Sequence, residues 1–422
     1  MRPFTFVHAA DLHLDSPFVG IQDVDEDIAE RLREATFSTF RHIVDLCIER
    51  EVNFLLVAGD IYDSRDRSLR AQIRFRDGLR RLSAAGIPAF VVHGNHDPLD
   101  TWSATLQWPE DAHIFGGETV TRVPVEAQGG MIATVYGISY PTQEVRDNLA
   151  TGFRRDEKDV YAIGLLHCNV GENTGHEPYA SCSVEDLVRA GMDYWALGHV
   201  HNRRIIREDK PVIVYPGNPQ GRNVREAGTR GCYLVHVDSD GRCTPEFVSV
   251  DAIRWFPRHL PIEDMRDDEG LLSAIDTLLR SIREQAGGRT CICRIWLQGR
   301  GSIHDTLNRG SVLDDVLGEA RDAGKMIEPI VWVDRIEDNT RPTIDVDARR
   351  AGQDFVGDLL RLIDRARRDP ELRDSLLTPE LQLLFDSSSV SRLLEHPTEE
   401  DLPEWIDAAE TLCLDMLVRE EE

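Results

Sequence analysis

The sequence predicts an α/β protein in which a parallel sheet covered by helices packs against a second sheet, followed by a small α/β domain and a helical tail. Three observations carry this. Residues 1 to about 250 alternate apolar β-rich runs with helical patterns, the βαβ signature of a parallel sheet. From Met131 onward short strands dominate, which calls for a second sheet laid on the first. Near residue 255 the pattern changes again, and at 422 residues with 41% hydrophobic content the chain can bury two or three cores.

In chain order, the first layer reads as a strand over Phe4 to Val7, a helix near Asp27 to Arg50, and a strand over Asn53 to Ala58. A helix near Arg67 to Ala84 and a strand over Pro88 to Val92 complete it. Short strands then follow over Met131 to Gly137, Val160 to Leu166, Tyr194 to Leu197, Pro211 to Tyr215, Cys232 to Val237 and Glu246 to Val250. A strand near 255 then leads into a helix (Gly270 to Gln285), a strand (Cys291 to Leu297), a helix (Ser311 to Ala323) and a strand (Pro329 to Asp334). Residues 341 to 422 read as short helices broken by Pro370, Pro379, Pro397 and Pro403. The expected domains are therefore 1–254, 255–340 and 341–422.

The formal charge is −27, from 75 acidic against 48 basic residues, and only Lys158, Lys210 and Lys325 are lysines. Such a balance argues against simple electrostatic coating of DNA. No run of about 18 apolar residues occurs, and the chain enters a strand pattern at once. Eight scattered cysteines without a CxxC pair suit a reducing compartment. The expectation is a cytoplasmic protein, neither secreted nor membrane-spanning.

Five short motifs carry the chemistry. Asp11-Leu-His13 stands where strand one ends, the place where open α/β sheets present ligands to a crevice; alone, it is equally explained as turn residues capping the next segment. Leu55-Leu-Val-Ala-Gly-Asp60 is a buried strand ending in Gly-Asp, with the carboxylate beyond the ladder. Phe90-Val-Val-His-Gly-Asn95-His96-Asp97 repeats the logic, and three successive polar side chains at a strand end are hard to explain by packing. Gly164-Leu-Leu-His167 and Trp195-Ala-Leu-Gly-His199-Val-His201 follow, and alternation turns His199 and His201 the same way. Each histidine alone is ordinarily a satisfied polar residue, but five polar clusters after five apolar runs argue jointly for a metal site. Mixed Asp, Asn and His donors suit a borderline metal such as Mn²⁺ or Fe²⁺ better than Ca²⁺ or structural Zn²⁺. Two metals about 3.5 to 4 Å apart require a bridging carboxylate, for which Asp60 is the choice.

In this order the motifs DxH, GD, GNHD, a strand-end His and GHxH resemble the calcineurin-like metallophosphoesterase superfamily. Val7-His-Ala-Ala-Asp-Leu-His-Leu-Asp15 and Tyr215-Pro-Gly-Asn-Pro-Gln-Gly-Arg222 resemble its DNA-repair exonuclease branch, the SbcD-type nuclease subunit and its YhaO-like relatives. The resemblance covers residues 4 to about 250 well and fades beyond. It implies a four-layer α/β/β/α metallophosphoesterase sandwich with a small α/β cap domain facing DNA and a helical C-terminal tail. It further implies a two-metal DNA exonuclease in DNA repair, running 3′ to 5′ on duplex ends. The cofactors would be two divalent ions, Mn²⁺ first, with Fe²⁺ or Mg²⁺ as alternatives. One metal falls to Asp11, His13, Asp60 and His201 and the other to Asp60, Asn95, His167 and His199. His96 becomes a catalytic residue, with Asp97 holding its ring. After Gly-Asp-Ile-Tyr, where some members carry a further histidine, this chain has Asp63. The implied partners are DNA and a coiled-coil ABC-type ATPase subunit, with a homodimer as a further option.

An acidic protein still needs cations to hold a polyanion. Residues 64–81 carry seven arginines against Asp66 and Asp77, net +5, with Arg67, Arg70, Arg74 and Arg81 on one helical stripe. Residues 201–231 carry Arg203, Arg204, Arg207, Lys210, Arg222, Arg225 and Arg230 against three acids, net +4. Both stretches follow metal motifs, so phosphate contact is expected from Arg70, Arg74, Arg203, Arg204 and above all Arg222, whose Gly-rich surroundings leave the backbone open. A solvated helix face explains the first stretch equally well. The acidic tail, with Leu359-Leu-Arg-Leu362 and Leu412-Cys-Leu-Asp-Met-Leu417, offers apolar faces to the ATPase or forms a helical domain of its own. The competing functions are a phosphodiesterase or phosphomonoesterase for small molecules, because a metal site does not select substrate, and a non-catalytic scaffold.

Overall fold

Alternation builds the first layer. In β1 (Phe4–Ala9) Phe4 and Phe6 point to one face of the sheet and Val7 and Ala9 to the other, and all four are buried. The computed structural model describes residues 1–21, 24–63, 68–101, 104, 106–127, 129–171, 179–373, 375–376, 382 and 402–417. β2 (Phe54–Ala58) pairs parallel to β1 and β3 (Ala89–Val92) parallel to β2, joined by α1 (Glu26–Glu49) and α2 (Leu69–Ala84). Both helices start at a side-chain cap, Asp25 accepting from the Ile28 N–H and Ser68 from the Ala71 N–H; each cap contributes about 1 kcal/mol.

The sheet also contains β4 (Ala112–Ile114), β11 (Gly231–Val237) and β12 (Cys243–Ser249), in the order β12-β11-β1-β2-β3-β4. The second sheet runs β5 (Thr121–Ala127), β6 (Gly130–Ile138), β7 (Ala162–His167), β8 (Tyr194–Gly198), β10 (Val212–Tyr215) and β9 (Arg204–Arg207). Phe4, Phe6, Phe54, Leu56 and Phe90 of the first sheet meet Ile163, Leu165, Tyr194 and Val214 of the second in one apolar layer. On the outer face of the first sheet, Val7, Leu55 and Val57 pack against Phe40, Ile43, Phe75 and Leu79 of the two helices. On the outer face of the second, Trp195, Leu197 and Ile213 pack with Phe153 and with Leu187 of α3 (Val184–Arg189). Each such large side chain contributes roughly 1.5–3 kcal/mol on burial. The expected four-layer α/β/β/α sandwich is present. His8 ties its two sheets together, with Nδ1 3.0 Å from the Tyr194 hydroxyl and Nε2 3.2 Å from the Leu197 carbonyl.

Sequence reading overlooked β4, β5 and β9, and all three are edge strands. Their residues are mostly half-buried or exposed, so no strong apolar alternation marks them, and β5 carries Pro124, which only an edge tolerates.

The chain divides into two compact units: Met1–Leu260 with Leu272–Trp296 and Leu313–Glu337, and Pro261–Leu271 with Leu297–Val312 and Asp338–Glu422. A three-stranded sheet of β13 (Ile253–Pro261), β14 (Thr290–Arg300) and β15 (Val331–Arg341) has strands that begin in the first unit and end in the second. The helices of this region are α4 (Asp268–Gln285), α5 (His304–Leu307) and α6 (Val312–Lys325). Within the second unit, α7 (Val346–Ala351), α8 (Phe355–Arg368) and α9 (Leu402–Leu417) are laced by Arg350 and Arg367 to Asp364, Asp407 and Glu410. Among the described residues no helix is long and apolar enough to cross a membrane. None of the eight cysteines forms a disulfide.

Candidate metal centre

The motif residues converge because every parallel strand that carries one ends on the same side of the sandwich. Asp11 and His13 follow β1, Asp60 follows β2, Asn95 and His96 follow β3, His167 closes β7, and His199 and His201 follow β8. The chain turns sharply at each strand end. Asp11, His13, Asp60 and His199 all take positive φ, at 51°, 43°, 51° and 100°. That region is unfavourable for residues with a Cβ, and holding four such residues there marks a site built at the expense of backbone comfort. The backbone is pinned across strands: the Asp11 N–H donates to Gly59 O at 3.0 Å, the His13 N–H to Asp60 O at 3.0 Å, and the His199 N–H to the Asp11 carboxylate at 2.9 Å.

The donor set explains what the cluster fits. His167 is buried, and its Nδ1 lies 2.9 Å from Ala58 O, so Nδ1 carries the proton of the neutral ring. Its Nε2 then presents a lone pair 3.0 Å from Asn95 Oδ1 and 3.4 Å from Asp60 Oδ2, two further acceptors. His199 Nδ1 adds a fourth polar atom, 3.2 Å from Asn95 Oδ1. On the other side of Asp60, His13 Nε2 and His201 Nε2 face each other at 3.2 Å, while His201 Nδ1 is 2.8 Å from Glu226 Oε1. With the His167 tautomer fixed by Ala58, its Nε2 is an acceptor facing the acceptors Asn95 Oδ1 and Asp60 Oδ2, an arrangement that repels unless a cation lies between them. Asp60 Oδ2 stands between the two groups, 3.9 Å from His13 Nε2. Burial opposes charge on His167, yet the carboxylates of Asp60 and Asp11 push its pKa up to about 9. Burial likewise raises Asp11 to about 6.

Two glycines make room for this. A Cβ on Gly94 would lie 2.3 Å from Asp60 Oδ1 and 2.7 Å from His167 Nε2, filling the centre itself. A Cβ on Gly198 would lie 1.8 Å from the Ala58 carbonyl oxygen, where β2 and β8 of opposite sheets pass each other. Gly198→Ala is therefore expected to prise the sheets apart and cost ~3 kcal/mol or more. A lower urea midpoint for the variant checks this, and an unchanged midpoint would remove the close approach from the account.

Residues 4–203 match the model of the calcineurin-like phosphoesterase family, and residues 255–341 match that of the metallophosphoesterase YhaO middle domain. The chain is 36% identical over 367 residues to the uncharacterized metallophosphoesterase YhaO of Bacillus subtilis, covering 87% of this chain and 88% of that one. It belongs to the calcineurin-like metallophosphoesterases. More distant relatives are the DNA double-strand break repair protein Mre11 of Sulfurisphaera tokodaii, 28% identical over 49% of this chain and 53% of its own, and the SbcD component of the nuclease SbcCD of B. subtilis, 22% identical over 53% and 63%. The calcineurin-like fold implies two divalent cations. Asp11, His13 and His201, and likewise Asp11, Asp60 and His167, bring ligand-capable atoms within 4.8 Å of one another.

The metallophosphoesterase site departs from the sequence reading at His96. Asp97 does not orient that ring: its carboxylate accepts from the Ile61 N–H at 2.9 Å and the Gly94 N–H at 2.7 Å, and lies 3.3 Å from His93 Nδ1. Asp97 thus clamps the loop that carries Asn95. Asp63 holds His96 instead, with Oδ2 3.2 Å from Nδ1, and the His96 N–H donates to Asp60 Oδ1 at 2.9 Å. Asp63 stood out in the sequence only as the residue in place of a histidine. Glu226, which supports His201, left no local signal, since it lies 25 residues away.

The arginines divide. Arg70 pairs with Glu34 and lies 3.7 Å from Asp15, and Arg81 pairs with Asp45 at 2.6 Å, so carboxylates on or beside α1 match this stripe. Arg70 and Arg74 also cover the Phe37 ring, at 4.7 and 6.0 Å. Arg67 and Asp66 lie outside the described residues. Arg204 is exposed at the start of the edge strand β9. At Arg222 the backbone is not open: its N–H donates to Glu226 Oε2 at 2.7 Å and its carbonyl accepts from Val19 at 2.9 Å. The loop closes on Glu226, and the Arg222 charge bears on His13.

Proposed function

We infer that this protein is a two-metal DNA phosphodiesterase, an exonuclease of DNA repair acting from 3′ to 5′ on duplex ends. Asp11, His13, Asp60 and His201 would hold one divalent cation, and Asp60, Asn95, His167 and His199 the other, Mn²⁺ being the first candidate. The observation that carries the metal assignment is that the lone pair on His167 Nε2 faces two oxygen acceptors, Asn95 Oδ1 at 3.0 Å and Asp60 Oδ2 at 3.4 Å. Bound there, the cations would supply Lewis acidity, activating a water and offsetting charge on the phosphoryl oxygens. Asp60 fixes the distance between the two halves of the centre. Glu226 holds the His201 ring so that Nε2 faces inward. His96, outside the facing acceptors, is placed to protonate the departing oxygen, and Asp63 sets its orientation.

DNA as substrate is supported by the nuclease relatives and by Arg203, Arg204 and Arg222, which surround the His201 loop. Residues 255–340 are proposed to face DNA, and the acidic segment 341–422 to receive a protein partner of the coiled-coil ATPase class. The purified protein with Mn²⁺ should degrade linear duplex DNA and stop on chelation. Brisk hydrolysis of a cyclic nucleotide with the DNA intact would replace this reading by a small-molecule phosphodiesterase, and metal binding without either activity by a scaffold.

A further inference from the structure

Next to the metal centre lies a cavity of about 270 Å³ whose walls include Asn202, Arg203, Pro216, Thr229, Arg230 and Phe247. It backs directly onto the loop that carries His201. Asn202 is the following residue, and Arg230 Nη1 donates to the His201 carbonyl. Behind this loop sits Gly217, at φ 76°, where a Cβ would come within 2.5 Å of the same carbonyl oxygen.

The charge in this cavity is uneven. Arg230 is buried and committed: it donates to Asn218 Oδ1 at 2.7 Å, to Glu226 O at 3.1 Å and to Asn202 Oδ1 at 3.3 Å. The carboxylates around it are committed too. Glu226 accepts from His201 and from the Arg222 N–H, and Asp251 is held by Arg254 and Arg289. Arg203 differs, because among the described residues no carboxylate pairs with it. Its guanidinium lies 3.9 Å over the Phe247 ring, and Nη1 lies 3.4 Å from Thr229 Oγ1. Stacking occupies the guanidinium's face and fixes its plane, while most of its in-plane N–H groups stay available as donors. In a chain of net charge −27, an arginine left unmatched beside a phosphoester centre calls for an anion.

We propose that this cavity seats the phosphate of the substrate strand adjacent to the one being cut, with Arg203 as its charged donor and Thr229 and Asn202 as neutral ones. One residue separates Arg203 from His201, a Cα span of at most ~7.2 Å, which suits the step between neighbouring phosphates of a strand. The proposal rests on the DNA reading and sharpens it: the enzyme selects diesters that have a phosphate neighbour. Arg203 is exposed, so replacing it leaves the core intact.

The test is the affinity of the full-length protein for a fluorescein-labelled duplex oligonucleotide with a free 3′ end, measured in EDTA by anisotropy across a salt series. Arg203→Ala should weaken binding about tenfold and reduce the slope of log K against log salt by about one, while Arg203→Lys keeps the slope. An Arg203→Ala slope equal to that of the wild type overturns the proposal, whatever happens to affinity, and leaves the DNA reading standing. Wild-type protein that binds no oligonucleotide sinks both.

Discussion

Replacing Asp60 by asparagine is expected to abolish loading of two cations and to slow phosphodiester hydrolysis at least about 10³-fold. Its Oδ2 lies 3.4 Å from His167 Nε2 and 3.9 Å from His13 Nε2, one from each half of the centre. Burial disfavours that charge, yet the histidines around it hold the Asp60 carboxyl well below its usual range, so the anion persists in the interior. Asparagine is the informative substitution. It tolerates the left-handed backbone at φ 51° better than alanine does, and it keeps an oxygen for the His96 N–H. What it removes is the charge that two cations share. Metal content by elemental analysis and hydrolysis rate should fall together. Two equivalents of Mn²⁺ retained at wild-type affinity would show that Asp60 does not bridge.

The centre was legible in the sequence because each of its parts is a local event. An apolar run that ends in Gly-Asp, in Gly-Asn-His or in Gly-His declares a buried strand and then a turn that only a functional residue would justify. Asp60, Asn95 and His199 were found this way, and the fold places Asn95 Oδ1 3.2 Å from His199 Nδ1 and 3.0 Å from His167 Nε2, with Asp60 Oδ2 3.4 Å from that last nitrogen. What supports them was not legible, because support comes from elsewhere in the chain. Glu226 reaches His201 across 25 positions and Asp63 reaches His96 across 33. The sequence pointed instead to the adjacent Asp97, but neighbours at a strand end diverge, and the Asp97 carboxylate turns back onto the Ile61 and Gly94 amides. The same distinction governs the strands. Central strands of the two sheets are buried on both faces and read as apolar runs, whereas the edge strands β4, β5 and β9 have half-exposed residues and left no pattern to read. The arginines show it again, since the stripe of Arg70 and Arg81 is matched by Glu34 and Asp45, 36 positions away in each case.

His96→Ala should lower hydrolysis of DNA about 10²- to 10⁴-fold while metal content stays at the wild-type level. The ring is half-exposed, and its Nδ1 faces Asp63, so it contributes nothing to the acceptor cluster that holds the cations. Burial works against its charge, but the hydrogen bond to Asp63 and the charge of Asp60 outweigh it and raise its pKa above that of a free imidazole. A proton held there serves a leaving group that departs poorly without one. The choice of substrate therefore separates this role from simple support of the site. With DNA, the departing alkoxide is strongly basic and the full loss is expected. With bis(p-nitrophenyl) phosphate, the departing phenolate is stable unprotonated, and the loss should shrink to about tenfold or less. Equal losses on the two substrates would rule out proton donation, and loss of bound metal would move His96 into the structural support of the centre. Asp63→Asn, which keeps the shape of the contact but weakens the carboxylate's hold on the ring, should follow the same substrate pattern at a smaller amplitude, because Asp63 acts through His96.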